Sequence, residues 1–196
     1  MNLQRTVKFE AERDREFAQW ISHKIGGEKL RHCLQCGLCS GSCPLSLYMD
    51  CTPRRLMYLA REGFKAEVLS SLSIWLCTSC YACAAECPKQ IQITELMYAL
   101  KERAIEEKCY PRRFPVPVMA RQFSRMVRGS GRITESWLVV QVFLRSAIWR
   151  LLGMSRLGLK LFRTGRMRWN REKIERRREI AQMMDAVEIA KKELAL

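Results

Sequence analysis

The sequence predicts a mainly α-helical protein: a helical domain containing a two-fold internal repeat, followed by a basic helical extension. Three observations point there. The pattern C-x-x-C-x-x-C-x-x-x-C-P occurs twice, at residues 33–44 and 77–88, and a run of helical periodicity follows each copy. No segment shows the strict apolar–polar alternation of a half-buried strand. Residues 112–178 hold 18 Lys and Arg against 3 Asp and Glu, which accounts for the whole net charge of +15.

The elements follow in order. Residues 8–25 place Phe9, Phe17, Trp20, Ile21 and Ile25 at roughly helical spacing before Gly26-Gly27, which predicts an amphipathic helix covering the core. After the first cysteine motif, Thr52-Pro53 forms an N-cap and N1 pair for a helix to about Arg61, with Leu56, Leu59 and Ala60 inward. Gly63 stops it, and a short helix to about Ser70 follows. After the second motif, Thr94 is predicted to cap a helix over residues 95–108, with Leu96, Met97, Leu100 and Ile105 on one side. Motif, cap and helix thus occur twice, with the motifs 44 positions apart, which predicts a pseudo-two-fold core in which each motif loop lies near the other's helix. Pro111, Pro115 and Pro117 read as an extended connector, placing a boundary between residues 1–110 and 111–196. Beyond it the pattern predicts a short helix over 118–128, a break at Gly129-Ser130-Gly131, helix over 136–162 softened by Gly153 and Gly158, and a charged terminal helix over 171–194.

Eight of the ten cysteines fall into the two identical patterns, which reads as metal ligation in a reducing compartment rather than a disulfide framework. Cysteines at i, i+3 and i+6 let one tight loop hold three irons of a 4Fe-4S cubane. In two-cluster ferredoxins the fourth, proline-flanked cysteine ligates the other cluster. The spacing therefore assigns Cys33, Cys36, Cys39 and Cys87 to one 4Fe-4S cluster and Cys77, Cys80, Cys83 and Cys43 to a second. Zinc is the bland alternative, since C-x-x-C pairs also build tetrahedral four-cysteine sites, but there two pairs are normally a dozen or more residues apart. Cys51 and Cys109 lie outside the motifs and read as idle or buried thiols. His32 precedes Cys33 and reads as a solvated loop residue, while His23 sits on a helix. No phosphate loop, nucleophile elbow or open-iron cysteine pattern appears, so no catalytic residue is assigned and the expected role is one-electron transfer.

The run Cys33-Leu34-Gln35-Cys36-Gly37-Leu38-Cys39-Ser40-Gly41-Ser42-Cys43-Pro44, with Trp75-Leu76-Cys77-Thr78-Ser79-Cys80-Tyr81-Ala82-Cys83 and Cys87-Pro88, resembles the C-subunit of heterodisulfide reductases over about residues 1–113. That resemblance implies a dicluster ferredoxin-like relay between a flavin-bearing A-subunit and a B-subunit whose cysteine-rich domains hold the disulfide-reducing site. The chain departs from the short methanogen form by continuing through residues 131–136 into a long basic tail. In this it is more similar to the C-subunit variants of heterodisulfide-reductase-like complexes in sulfur oxidisers. The alternative expectation is the iron-sulfur subunit of a membrane-bound respiratory dehydrogenase or quinone-linked reductase.

The N-terminus lacks an apolar signal region, which places the protein in the cytoplasm, and the longest uncharged run of residues 133–162 is too short to span a bilayer. On a helical wheel over 141–162, Leu144, Ile148, Leu151 and Phe162 share one side and Arg145, Arg156 and Lys160 another. A helix docked on a partner subunit is the favoured reading, and peripheral contact with the cytoplasmic face of a membrane the second. Nucleic-acid binding ranks third, because the basic tail has no aromatic platform pattern and no nucleic-acid motif.

Overall fold

The structure, a computed structural model, describes residues 10–110, 114–146, 153, 155–165, 170 and 173–194. The chain divides into two units, Met1–Pro111 and Arg112–Leu196, and the described residues contain helices and no strand.

The first unit opens with a 3-10 turn at Glu10–Glu12 and helix α1 (Arg15–Ser22). The helix starts later than the apolar spacing predicts because the Asp14 carboxylate accepts the Phe17 N–H at 2.9 Å and acts as the N-cap. Lys8 and Phe9 lie outside the described residues. Phe17 and Ile21 are buried, Trp20 stacks on Phe17, and Ile25, beyond the helix end, is exposed.

The short helix α2 (Leu38–Gly41) lies inside the first motif, followed by α3 (Pro53–Glu62) and α4 (Lys65–Ser70). Thr52 has the extended backbone of an N-cap but no side-chain cap bond, so Pro53 at N1 is the stronger start signal. Gly63 ends α3 with φ of 86°, and the Asp14 N–H donates to its carbonyl at 2.8 Å. A Cβ at Gly63 would lie 2.5 Å from the Asp14 carbonyl oxygen, so close approach and left-handed backbone both require glycine.

Helix α5 (Ser73–Leu76) leads into the second motif, α6 (Ala82–Ala85) lies within it, and α7 (Ile93–Glu106) follows. α7 begins ahead of Thr94, which is therefore a buried first-turn residue and not the predicted cap. Helix α4 packs on both α3 and α7, and α1 covers α3. Their apolar faces put Leu56, Leu69, Ile74, Leu96 and Leu100 almost wholly out of water. Each such side chain contributes about 1.5–3 kcal/mol before the entropy of ordering is subtracted. The short motif helices α2 and α6 touch each other, while α2 also meets α3 and α6 meets α7.

The second unit contains α8 (Pro115–Ser130), α9 (Glu135–Ser146), α10 (Ser155–Arg163) and α11 (Arg177–Leu194). Pro115 and Pro117 start a helix where the sequence predicts an extended connector. The first N–H groups of a helix have no intrahelical acceptor, so prolines there forfeit nothing, and Phe114 supplies the extended residue that must precede one. Pro111 lies outside the described residues. α8 packs against α9 and α11, with the Arg128 guanidinium bonded to the Asp185 and Glu188 carboxylates. Ile148 and Leu151 of the predicted apolar face lie outside the described residues, whereas Leu157, Leu159 and Phe162 on α10 are exposed. Among the described residues no helix is long and apolar enough to cross a membrane.

Candidate metal centres

The eight motif cysteines gather around two cavities. The first is lined by Cys33, Cys36, Cys39 and Cys87, together with Met57 of α3 and Ile93 of α7. The second is lined by Cys43, Cys77, Cys80 and Cys83, with Pro53 of α3 and Met97 of α7. Each cavity thus takes three cysteines from one motif and the fourth, proline-flanked cysteine from the other.

Local backbone chemistry explains how each motif curls. Gln35 and Gly37 in the first motif, and Ser79 and Tyr81 at the same places in the second, all have positive φ, from 55° to 88°. Two left-handed residues so close together bend the chain around a concavity and turn successive amides toward it. The residue three positions before each first cysteine, Leu30 or Ile74, is fully buried and anchors the incoming chain. A cation on the following helix holds the first cysteine's carbonyl: Arg61 donates to Cys33 O at 3.3 Å and Lys101 to Cys77 O at 2.8 Å.

The donor set fits 4Fe-4S clusters. Among the described residues no three His, Cys, Asp or Glu side chains converge tightly enough for a single metal ion. Each foursome of thiols surrounds a space instead, as a cubane with one iron per thiolate requires. Sulfur already receives hydrogen bonds: Gln35 Nε2 donates to Cys33 Sγ at 3.3 Å and the Ile91 N–H to Cys87 Sγ at 3.4 Å. The Ser42 hydroxyl, next to Cys43, is buried with no partner among the described residues, leaving one more donor for such a group.

Burial pushes the Cys39 thiol up to about 11, against the lowering effect of the Ser40 hydroxyl and with added repulsion from Cys33, Cys83 and Cys36. Burial likewise raises Cys83, eased by Thr94 and aggravated by Cys77, Cys80 and Cys43. Cys39 lies on α2 and Cys83 on α6, two helices in contact, so the two cavities lie near each other. Iron, by supplying positive charge, reverses this preference for the thiol.

A clamp that the sequence reading missed joins the two motifs. Asp50 Oδ1 accepts from the Ser71 hydroxyl at 2.8 Å, the Ser73 N–H at 2.9 Å and the Ser73 hydroxyl at 2.5 Å, while Oδ2 accepts the Leu72 N–H at 2.9 Å. The Ser73 hydroxyl oxygen in turn accepts the Cys51 N–H at 2.9 Å. This ties the chain leaving the first motif to the start of α5, which delivers Cys77. Partial burial alone would raise the Asp50 carboxyl, but hydrogen bonds from Ser73, Leu72 and Ser71 outweigh it and hold the group below the usual carboxylate value. The signal was an Asp upstream of a Ser-Leu-Ser run, which sequence spacing alone does not bring together. Cys51 is buried beside this clamp, Cys109 bonds the Glu107 carbonyl, His32 is exposed and His23 bonds the Gln19 carbonyl; none lines either cavity.

Known proteins resemble the part of the chain that builds these cavities. Residues 29–91 match the model of the 4Fe-4S dicluster domain. The chain is 35% identical over 91 residues to the C-subunit of the H2:CoB-CoM heterodisulfide,ferredoxin reductase of Methanothermobacter thermautotrophicus, covering 46% of this chain and 49% of that one. It is 40% identical over 84 residues to the C-subunit of the ferredoxin/F420H2-dependent CoB-CoM heterodisulfide reductase of Methanosarcina acetivorans, covering 43% and 52%. To a protein of Archaeoglobus profundus described as like the heterodisulfide reductase C-subunit it is 30% identical over 99 residues, covering 50% and 52%. The chain spans about half the length of the curated relatives it matches. Residues 29–91 thus match a 4Fe-4S dicluster domain, and over about half its length the chain is similar to heterodisulfide reductase C-subunits.

Proposed function

We propose that the chain is the electron-transfer subunit of a heterodisulfide-reductase-like complex, carrying two 4Fe-4S clusters with crossed ligation. One observation carries the reading: each cavity is lined by four cysteines, three from one motif and one from the other. When bound, such clusters supply one-electron redox chemistry. The chain's residues do the rest. Eight thiols fix the two groups side by side, Gln35 and the Ile91 amide steady the negative charge on sulfur, and Leu34, Leu38, Met57, Ile91, Ile93 and Met97 keep the linings largely apolar. Every assigned cysteine is used, so no cluster iron is left open to substrate and the disulfide or thiol chemistry belongs to another subunit.

In this reading, the pseudo-two-fold repeat makes residues 1–110 a stapled relay between a cysteine-rich B-subunit and a flavin-bearing A-subunit or another carrier, in the cytoplasm. The similarity to heterodisulfide reductase C-subunits supports a complex, and the long basic tail supports the form associated with sulfur oxidisers. Residues 111–196 serve docking, with α10 as the contact element: Leu157, Leu159 and Phe162 are exposed on a helix that also carries Arg156, Lys160 and Arg163. The first partner for that face is another protein of the complex, and an anionic membrane surface is the second. The test of the central reading is anaerobic purification of the full chain with iron and sulfide counting and EPR of the dithionite-reduced protein. Two magnetically interacting cubanes are expected; a single cluster, or zinc, refutes it.

A further inference from the structure

The two cavities are built alike but not charged alike. Helices α3 and α7 present equivalent residues in swapped roles: Arg54 and Met57 of α3, with Ile93 of α7, line the first cavity, whereas Thr94 and Met97 of α7, with Pro53 of α3, line the second. Arg54 and Thr94 are each the second residue of their helix, so one position carries a cation at the first cavity and a neutral hydroxyl at the second. The residue two beyond each motif's last cysteine repeats the contrast, with Lys89 lining the first cavity and Leu45 the second. Among the described residues no Asp, Glu, Lys or Arg lines the second cavity. Sulfur bonding leans the same way: two N–H donors reach Cys33 and Cys87 at 3.3 and 3.4 Å, while Cys83 faces the Thr94 hydroxyl at 3.8 Å.

Arg61 and Lys101 do not decide the matter. Each is the ninth residue of its helix, lies over a tyrosine ring (Tyr58 or Tyr98) and donates to its motif's first cysteine carbonyl. Glu62 pairs with Arg61 at 3.0 Å and offsets part of its charge, but both cations sit at the backbone and neither lines a cavity.

We propose that Arg54 and Lys89 set the order of the two reduction potentials, making the cluster held by Cys33, Cys36, Cys39 and Cys87 the more readily reduced. Positive charge and N–H donors stabilise the extra electron on an iron-sulfur group, and the first cavity has more of both. The first electron delivered to the chain therefore comes to rest at the first cavity, and transfer within the chain runs downhill from the Cys77 side to the Cys33 side. This rests on the two-cluster reading above and adds a direction to it.

The experiment is an EPR-monitored redox titration of the anaerobically purified full chain, wild type beside Arg54→Gln and Lys89→Gln, with iron counted in each sample. Each substitution is expected to lower the upper midpoint and leave the lower one in place. The double variant should lower it further, and the shift should shrink as salt rises, because both side chains are exposed. If iron content or the number of midpoints shows one cluster, the two-cluster reading fails. If two clusters are present and the substitutions move the lower midpoint, or neither, that reading stands and this inference is overturned. Should Arg54→Gln load iron poorly, Lys89→Gln, counted for iron in the same way, decides the question alone.

Discussion

Replacing Cys43 by serine separates crossed from uncrossed ligation. Cys43 lies in the first motif but lines the second cavity with Cys77, Cys80 and Cys83, so the substitution leaves three thiols there and four in the first cavity. A serine hydroxyl stays protonated at neutral pH and is a poor iron ligand. Iron should fall from about eight to about four atoms per chain. The lost cluster is also a cross-link between positions 43 and 77, closing a loop of 34 residues. The chain-entropy relation for such a loop gives on the order of 4 kcal/mol of lost stability. Paired substitutions make the assay decisive. Cys36→Ser with Cys43→Ser removes one ligand from each cavity and should leave almost no iron, whereas Cys36→Ser with Cys87→Ser strikes the first cavity twice and should leave about four. The opposite pattern, with Cys36 and Cys43 behaving as one site, would refute the crossed arrangement.

The remaining predictions concern the scaffold and the second cavity. Asp50→Asn removes the acceptor of the Leu72 N–H and should destabilise the full chain by about 1–2 kcal/mol in denaturant melts, discounted because the carboxylate is exposed. Because the folded-state pKa of Asp50 lies below its unfolded value, the stabilisation is fully present above that value. The wild-type advantage over Asp50→Asn should persist at neutral pH and drain away as pH falls below about 4, through the depressed folded value. Glu107, lowered by hydrogen bonds from Lys65 and Arg103 that outweigh its desolvation, should give the same sign, so Glu107→Gln should narrow the loss on acidification. Gly63→Ala combines φ of 86° with a Cβ 2.5 Å from the Asp14 carbonyl oxygen; a loss of about 1–3 kcal/mol is expected in the same melts, and an unchanged midpoint would contradict it. Thr94→Val removes the hydroxyl facing Cys83 and should lower the midpoint potential of the second cavity's cluster while stability moves by about 1 kcal/mol or less.

The all-helical class was legible because no strand pattern competes with the helical spacing. Leu56, Leu59 and Ala60 on α3, and Leu96, Met97 and Leu100 on α7, fall on the buried faces that spacing assigns. Boundaries were less legible where side chains act locally. Asp14 caps α1 through its own carboxylate, and Thr94, a good cap by composition, sits inside α7 with its hydroxyl facing a cysteine. The prolines misled in the second unit, since they break a helix interior but suit its first turn, and spacing alone does not show which applies. The motifs single out the eight cysteines that line the two cavities. The Asp50 clamp and the unequal cation lining depend on residues far apart in the chain or on which turn of a helix meets a cavity, and periodicity carries neither.

The clamp and the repeat have a common origin in spacing. The motifs recur at 44 residues but the helices that follow them, α3 and α7, begin only 40 apart. The first connection, from Cys43 to Pro53, is therefore four residues longer than the second, from Cys87 to Ile93. Those extra residues do not slide α3 out of register, because Met57 meets its cavity as Met97 meets the other. A 3-10 turn at Ser46–Tyr48 absorbs them, and Leu47 and Tyr48 project into solvent, 95% and 74% exposed. Asp50 then binds the returning chain to Ser71, Leu72 and Ser73 before α3 begins. That clamp joins the segments that carry Cys43 and Cys77, which line the same cavity. The insertion and its carboxylate thus form one device: a 3-10 turn takes up the extra residues, and Asp50 ties the lengthened connection to the chain that delivers Cys77.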